Sequence, residues 1–332
     1  MEISPFGPDD AAELTACAGL LNDVHAVDAP WERHFTPARL AGRFRFGWDG
    51  EPEDPYLATV DGVPVAYGTV STSEYDNLDL AFVAVAVHPS YRRRGHGSAL
   101  LAHLLGEARR RGRTNIIVDG WDTAALHAFA AHQGFERKLA SINRRQALAD
   151  VDWPALVRRY DEARAAAGDY VLERWAVPTP EERLDDLATM AAAINDAPLD
   201  DLDYEDEVFT ADRMRAYEEA SLGKGERMYR VVARHVPTGG LAGQTVVVVD
   251  GEQPTWADQH DTSVTRAHRG HRLGLLLKAD LLLWLREAEP QVLTVNTWNA
   301  ESNDHMIGVN ELLAYRVQGR EWAYQRKISA QE

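Results

Sequence analysis

Two stretches of this chain set basic side chains and glycines in an order that suits an anion. YRRRGHGSAL (residues 91–100) runs three arginines into Gly95 and Gly97, and HRGHRLGLLL (residues 268–277) repeats the design with Arg269, Gly270, Arg272 and Gly274. Each leads into a leucine-rich helical run. The first turn of a helix carries backbone N–H groups without intrahelical partners, and its dipole makes that end positive. With no Cβ at Gly95 or Gly97, an anion can approach those amides closely, so Arg92 to Ser98 reads either as an anion site or as a solvated basic turn between strand and helix. A third stretch, WADQHDTSV (256–264), carries Asp258, His260 and Asp261. Strand alternation puts Asp258 and His260 on one face and Asp261 on the other. An imidazole with a pKa near ~6.5 can serve as a base, although such groups also hold turns or pair with a core. The acidic run NDAPLDDLDYEDE (195–207) either draws in a cation or is a solvated loop between helices.

These stretches need elements to position them, and the elements occur twice. Leu100, Leu101, Leu104, Leu105 and Ala108 fall on one helical face, with Arg109–Arg111 in the last turn and Gly112 to end it. Strand-like runs precede the loops, DLAFVAVAV (79–87) and DQHDTSV (258–264), and follow the helices, NIIVD (115–119) and VLTVNTW (292–298). Upstream, hairpins are predicted around Asp61-Gly62 and Thr238-Gly239-Gly240. Earlier still, Pro5–Asp10 and Pro178–Glu182 open helices that end near Asn22 and Asn195. Arg92 and Arg269 lie 177 residues apart and Asn22 and Asn195 lie 173 apart, a near-constant offset that points to duplication. The expected organisation is an α+β domain with a mixed twisted sheet over 1–150, a linker helix over 151–172, and a second such domain over 173–332.

Composition narrows the function. The 332 residues suffice for two cores, and 45% hydrophobic with 26% charged residues is ordinary for a soluble globular chain. The formal net charge of −17 argues against a nucleic-acid partner, which needs an excess of Lys and Arg, and is compatible with a cationic substrate. A lone Cys17 excludes an intramolecular disulfide and disfavours a thiolate–zinc site, so no metal is expected. No signal-like start and no apolar run of ~18 residues is present, so a cytoplasmic location without a membrane partner is the expectation. The Gly-x-Gly motifs follow hairpins and do not occupy a first βα turn, which disfavours a dinucleotide-binding fold.

The order Arg92-x-x-Gly95-x-Gly97 after a VAVHP strand end resembles the acyl-CoA pyrophosphate loop of the GNAT superfamily of N-acetyltransferases. Since the second half repeats it, the whole chain resembles a tandem GNAT protein, an arrangement also found in mycothiol synthase. NTWNAESNDHMIGVNELLAYR (296–316) is similar to the family's closing motif through Asn303, Met306, Asn310, Glu311 and Tyr315. The first half keeps Gly134-Phe135 but has Thr123 in place of the asparagine. The resemblance implies a strand that splays from its neighbour, with backbone near Val85 and Val87, or Thr262 and Val264, holding the pantetheine arm of acetyl-CoA. It implies a diphosphate held by Arg92, Arg93, Arg94, Gly95, His96, Gly97 and Ser98. The second-half counterparts are Arg269, Gly270, His271, Arg272, Leu273 and Gly274, with Asn299 and Asn303 nearby.

In the histone-acetylating branch the base lies eleven residues before the loop's first conserved residue, which implies Asp258 in the second half and Ala81 in the first. Asp258 is therefore the implied base, with His260 and Asp261 in reserve. The positions of the family's helix tyrosine hold Ala130 and Asn310, neither of them an acid. The implied function is acetyl transfer from acetyl-CoA to a primary amine of a small, cationic molecule or a peptide, with chemistry in the second domain and the chain a monomer or homodimer. A non-catalytic acyl-CoA sensor or scaffold, and catalysis in the first domain, stay open.

Overall fold

In the computed structural model, which describes residues 1–329, the first half contains β1 (Glu2–Pro5), α1 (Ala11–Asp28), α2 (Pro37–Phe46), β2 (Asp54–Val60), β3 (Val63–Ser71), β4 (Leu80–Val87), α3 (His96–Arg110), β5 (Asn115–Trp121), α4 (Ala124–His132) and β6 (Glu136–Ala147). The second half runs through α5 (Trp153–Ala166), β7 (Tyr170–Trp175), α6 (Leu184–Ala191), α7 (Ala211–Gly223), β8 (Arg227–His235), β9 (Leu241–Val249) and β10 (Trp256–Val264). It ends with α8 (Leu273–Ala288), β11 (Thr294–Ala300), α9 (Asp304–Leu312) and β12 (Arg316–Lys327). Local chemistry accounts for the boundaries. Asp61 and Gly62 both take positive φ, 51° and 77°, which matches the twist of a two-residue hairpin between β2 and β3. Thr36, Thr123, Asp152 and Thr210 cap α2, α4, α5 and α7 by accepting a bond from a first-turn N–H.

Two compact units result, and their limits are not those of the two halves. The first comprises Met1–Ser141, Leu199–Asp206 and the described part of Gly319–Glu332; the second comprises Ile142–Pro198 and Glu207–Gln318. The expected linker is α5, which packs with α8 inside the second unit through Leu156 and Ala163. β6 therefore starts in the first unit and ends in the second, and β12 does the reverse.

The first unit's strands run in the order β1-β2-β3-β4-β5-β12. Only β4 and β5 are parallel there; β12 lies antiparallel to β5, Glu321 opposite Trp121 and Ala323 opposite Asp119. Leu100, Leu101, Leu104 and Ala108 of α3 are fully buried on one face of this sheet, as their spacing predicts, each large side chain stabilising the fold by roughly 2 kcal/mol. α1 and α2 cover the other face through Leu14, Cys17, Leu21, Leu40 and Phe44. The second unit orders β11-β10-β9-β8-β7, again with one parallel pair, β10–β11. α8 and α5 fill one core and α6 and α7 another. No helix among the described residues is long and apolar enough to cross a membrane.

Candidate active site

Both units contain the same opening. β4 and β5 pair for three positions, Leu80–Asn115 to Phe82–Ile117, while β4 stays paired to β3 as far as Val87–Ala66. β10 and β11 likewise pair from Trp256–Thr294 to Asp258–Asn296, and β10 stays with β9 to Val264–Gly243. Val85, Val87, Thr262 and Val264 thus lie on stretches whose second edge has no strand partner, leaving backbone groups for a ligand.

Below each opening is the basic loop. Arg92 does not point at a ligand: its guanidinium donates to the Val87 carbonyl at 3.1 Å and forms two bonds to Asp28 at 2.9 and 2.5 Å. Arg269 repeats this with the Val264 carbonyl at 3.0 Å and Asp196 at 2.6 Å. These two arginines, expected to touch phosphate, clamp the loop to the strand and to the end of the preceding helical segment. Two residues in each loop need positive φ: Arg93 (62°) and Gly95 (86°) in the first, Gly270 (86°) and Arg272 (58°) in the second. The glycine has moved between equivalent sites, so each loop holds one side chain in the left-handed region at a cost of about 1 kcal/mol. A Cβ at Gly95 would meet no atom within 4 Å, so Arg272 at the equivalent place is strained but not crowded.

No side chain caps α3 or α8, which leaves their first-turn amides for an anion. At Gly97 a Cβ would approach Val87 Cγ2 to 3.2 Å and Phe129 Cε2 to 3.3 Å, whereas Gly274 faces open space. Arg94 lies over the Tyr91 ring at 5.2 Å, and His96 is beside the same ring. Ser98 Oγ accepts from Gln133 Nε2 at 2.8 Å, and His271 Nδ1 lies 3.3 Å from the His268 carbonyl. Leu273 is buried in the core, so only its amide is available. The uncapped amides and Cβ-free approach fit a diphosphate such as that of acetyl-CoA.

On β10 the register shifts between Gln259 and Thr262, so three steps on β10 span two on β9. This bulge at His260 and Asp261 breaks the alternation assumed from sequence. His260 Nδ1 and the Tyr217 hydroxyl share a 2.6 Å hydrogen bond, and Asp261 also acts on that hydroxyl electrostatically. Burial raises the Asp261 pKa, against the pull of Arg230. Because β4 has no bulge, the counterpart of Asp258 is Phe82 and not Ala81: Asp258 opposes Val248 and Asn296 where Phe82 opposes Ser71 and Ile117. Asp258 is half-buried at the last paired position of β10 and β11.

Asn303 Oδ1 caps α9 by accepting from Met306 N at 3.2 Å, the service Thr123 performs for α4. Asn299 Oδ1 accepts from Asn310 Nδ2 at 2.6 Å, and Asn310 Oδ1 accepts from Lys278 Nζ at 2.6 Å. Lys278, beneath the Tyr315 ring at 4.8 Å, is so deeply buried that its pKa falls to about 7.

The first unit holds what the sequence reading missed. A cleft of about 240 Å³ opens where β4 and β5 part, lined by Arg43, Glu53, Thr69, Ser71, Phe82, Val83, Ala84, Ile117 and Asp119. Arg43 makes two bonds to Glu53, at 2.6 and 2.9 Å. Asp119 reaches solvent at the mouth yet is surrounded closely enough that desolvation raises its pKa, with Arg43 opposing and Glu53 adding. The acidic segment 199–206 also belongs to this unit. Tyr204 lies 6.3 Å from Phe82, Asp203 N donates to Gln325 Oε1 at 2.8 Å, and Asp203 pairs with Lys327 at 2.7 Å. Its acidic side chains Asp200, Asp201, Asp203, Glu205 and Asp206 are exposed, as in a solvated loop between helices, but the segment belongs to the first unit and not the second. Among the described residues no group of three or more His, Cys, Asp or Glu is placed to hold a metal.

Comparison with known proteins shows what this chain is similar to. Residues 20–135 match the model of the Acetyltransferase (GNAT) family. Over 121 residues, 36% of the chain, the sequence is 28% identical to an amino-acid acetyltransferase of Shewanella oneidensis, and the matched part spans 25% of that relative's length. A solved tandem GNAT protein from the clavulanic acid biosynthesis pathway superposes with a TM-score of 0.79 at 29% identity, covering 98% of each chain. A GCN5-related N-acetyltransferase from Sphaerobacter thermophilus shares the fold, with a TM-score of 0.68 at 17% identity over 98% of this chain and 95% of the other.

Proposed function

We propose that this chain, whose residues 20–135 match the GNAT acetyltransferase family and whose fold is that of a tandem GNAT protein, is an N-acetyltransferase that uses acetyl-CoA and acetylates a primary amine in the cleft of its first unit. The observation that carries this reading is Asp119 at the mouth of the opening between β4 and β5, above a loop with free amides. Bound acetyl-CoA supplies a thioester, an acetyl group activated toward attack by nitrogen. The amides from His96 to Ser98 hold the diphosphate, and the unpaired edge of β4 at Val85 and Val87 aligns the arm. An alkylammonium has a pKa near ~10, so a base must remove a proton before nitrogen can attack. The Asp119 carboxylate accepts that proton, and its raised pKa brings it nearer the operating pH than an ordinary aspartate. Nitrogen then bonds to the acetyl carbon, the C–S bond breaks, and the sulfur leaves with the electron pair and takes up the further proton that nitrogen sheds as it becomes an amide. Positioning of the two reactants supplies much of the rate.

The acceptor is a cationic small molecule or peptide amine, a choice supported by Glu53 and Asp119 in the cleft and by the net charge of −17. The second unit favours a rival allocation through one observation, the bulge that gathers His260, Asp261 and Tyr217 near Asp258. Screening primary amines with acetyl-CoA by mass shift, on the wild type and on Asp119→Asn and Asp258→Asn, separates the two. We expect Asp119→Asn to lose at least ~100-fold in kcat/KM and Asp258→Asn to retain activity. The reverse moves the chemistry to the second unit, and no acetylated product from any amine leaves an acyl-CoA sensor.

A further inference from the structure

Asp119 has a second acidic residue beside it on the sheet. Its neighbour across the sheet comes from the far end of the sequence: β12 lies antiparallel to β5, and Glu321 sits two residues along from Ala323, the residue opposite Asp119. Positions two apart on a strand share a face, and diagonal partners on adjacent strands are within reach of long side chains. Alanine at 323 leaves that diagonal open. On this face Ile117 and Asp119 line the cleft, and Trp121 continues it against Trp31, ring centroids 5.2 Å apart. Gly319 is required there, because a Cβ would come within 2.6 Å of both indole rings.

We propose that Glu321, supplied by the last strand of the chain, is a positioning residue that shares one proton with Asp119 and so sets the pH at which the cleft takes a proton from its amine. This deepens the proposed function and rests on the reading of the cleft as the site of acetyl transfer. The other charged groups facing the pair are Arg43 from α2, ion-paired to Glu53 before β2, and Glu32 from the segment between α1 and α2. Tyr67 on β3 stands beside Arg43 and Glu53. Burial, Asp119 and Glu32 all push the Glu321 carboxyl well above the usual range, and two close carboxyls in one desolvated site cannot easily both ionise. With Glu321 holding the proton, Asp119 stays a carboxylate toward the cleft. When an ammonium arrives, its proton passes to Asp119, leaving a neutral amine and a neutral acid. The second half of the chain would thus complete the first half's site through one strand.

The test is a titration of side-chain carboxyls by 13C NMR on the full chain, beside the pH dependence of kcat/KM for transfer to lysine, putrescine and tyramine. We expect Asp119 to titrate in two coupled steps in the wild type. In Glu321→Gln it should titrate in one step, the upper of the two being lost, with the acid limb of kcat/KM following that single step and acetyl-CoA affinity unchanged. Glu321→Asp, which keeps the carboxyl, should restore the two-step titration; if the Gln variant does not fold, Glu321→Leu, which also removes the carboxyl, should give the same single step. A two-step Asp119 titration that persists in the Gln or the Leu variant overturns the proposal while leaving the cleft reading intact. Full activity in Asp119→Asn overturns the cleft reading itself.

Discussion

Alanine at Gly97 and at Gly274 should have opposite effects although the two residues occupy equivalent places. Both lie in the first turn of a helix, where Ala is favoured over Gly by up to about 1 kcal/mol. At Gly274 the new methyl meets nothing within 4 Å, so only the propensity remains and Gly274→Ala should stabilise by about 0.5 kcal/mol. At Gly97 the methyl would stand 3.2 Å from Val87 Cγ2 and 3.3 Å from Phe129 Cε2, contacts that must widen by several tenths of an ångström. Overpacking of this kind costs about 1–3 kcal/mol; set against the propensity gain, the net is about 1 kcal/mol of destabilisation. For units of this size that is a fall of about 2–4 °C in melting temperature, against a rise of about 1–2 °C for Gly274→Ala. Because Val87 lies on the unpaired edge beside the loop, Gly97→Ala should also weaken acetyl-CoA binding several-fold in calorimetry. Equal melting shifts, or a stabilising Gly97→Ala, would refute the claim that this helix start is sealed against β4.

Three further outcomes follow from other contacts. The Arg92–Asp28 ion pair, two-bonded and partly buried, should show a coupling of about 1 kcal/mol or more in a double-mutant cycle of Arg92→Ala and Asp28→Ala, read by denaturant unfolding. Arg272→Gly should relieve the left-handed strain, at the loss of an exposed 3.7 Å pair with Glu162, and leave stability equal or higher by up to about 1 kcal/mol; a large destabilisation would count against the strain. For Lys278, whose folded pKa of about 7 is below its unfolded value, the unfolded chain binds more protons between pH 7 and 10. Wild-type stability should therefore rise relative to Lys278→Met across that window, by about 1.4 kcal/mol per pH unit at most, and the difference should be flat below pH 6.

What the sequence disclosed was local. The Asp61-Gly62 hairpin, the α3 face from Leu100 to Ala108 and the two glycine loops at helix starts each depend on neighbours within a turn or two. The doubled pattern disclosed the duplication for the same reason. Counting failed at Asp258, because one extra residue in the β10 bulge shifts every equivalence before it, so that Phe82 and not Ala81 is its counterpart. The sites of Asp119 and Glu321 were hidden more deeply. Nothing near Asp119 in sequence says that β12, some 200 residues later, will lie beside β5, or that residues 199–206 will leave the second unit for the first. Arg92 and Arg269 looked like phosphate ligands because a carboxylate partner distant in sequence, Asp28 or Asp196, cannot be read from the loop.

A crystal structure of the full chain with CoA and an accepted amine would locate the reaction outright. The amine nitrogen is expected within hydrogen-bond distance of the Asp119 carboxylate, with the thiol between β4 and β5. An amine bound beside Asp258 and His260, with the first unit's cleft empty, would contradict it.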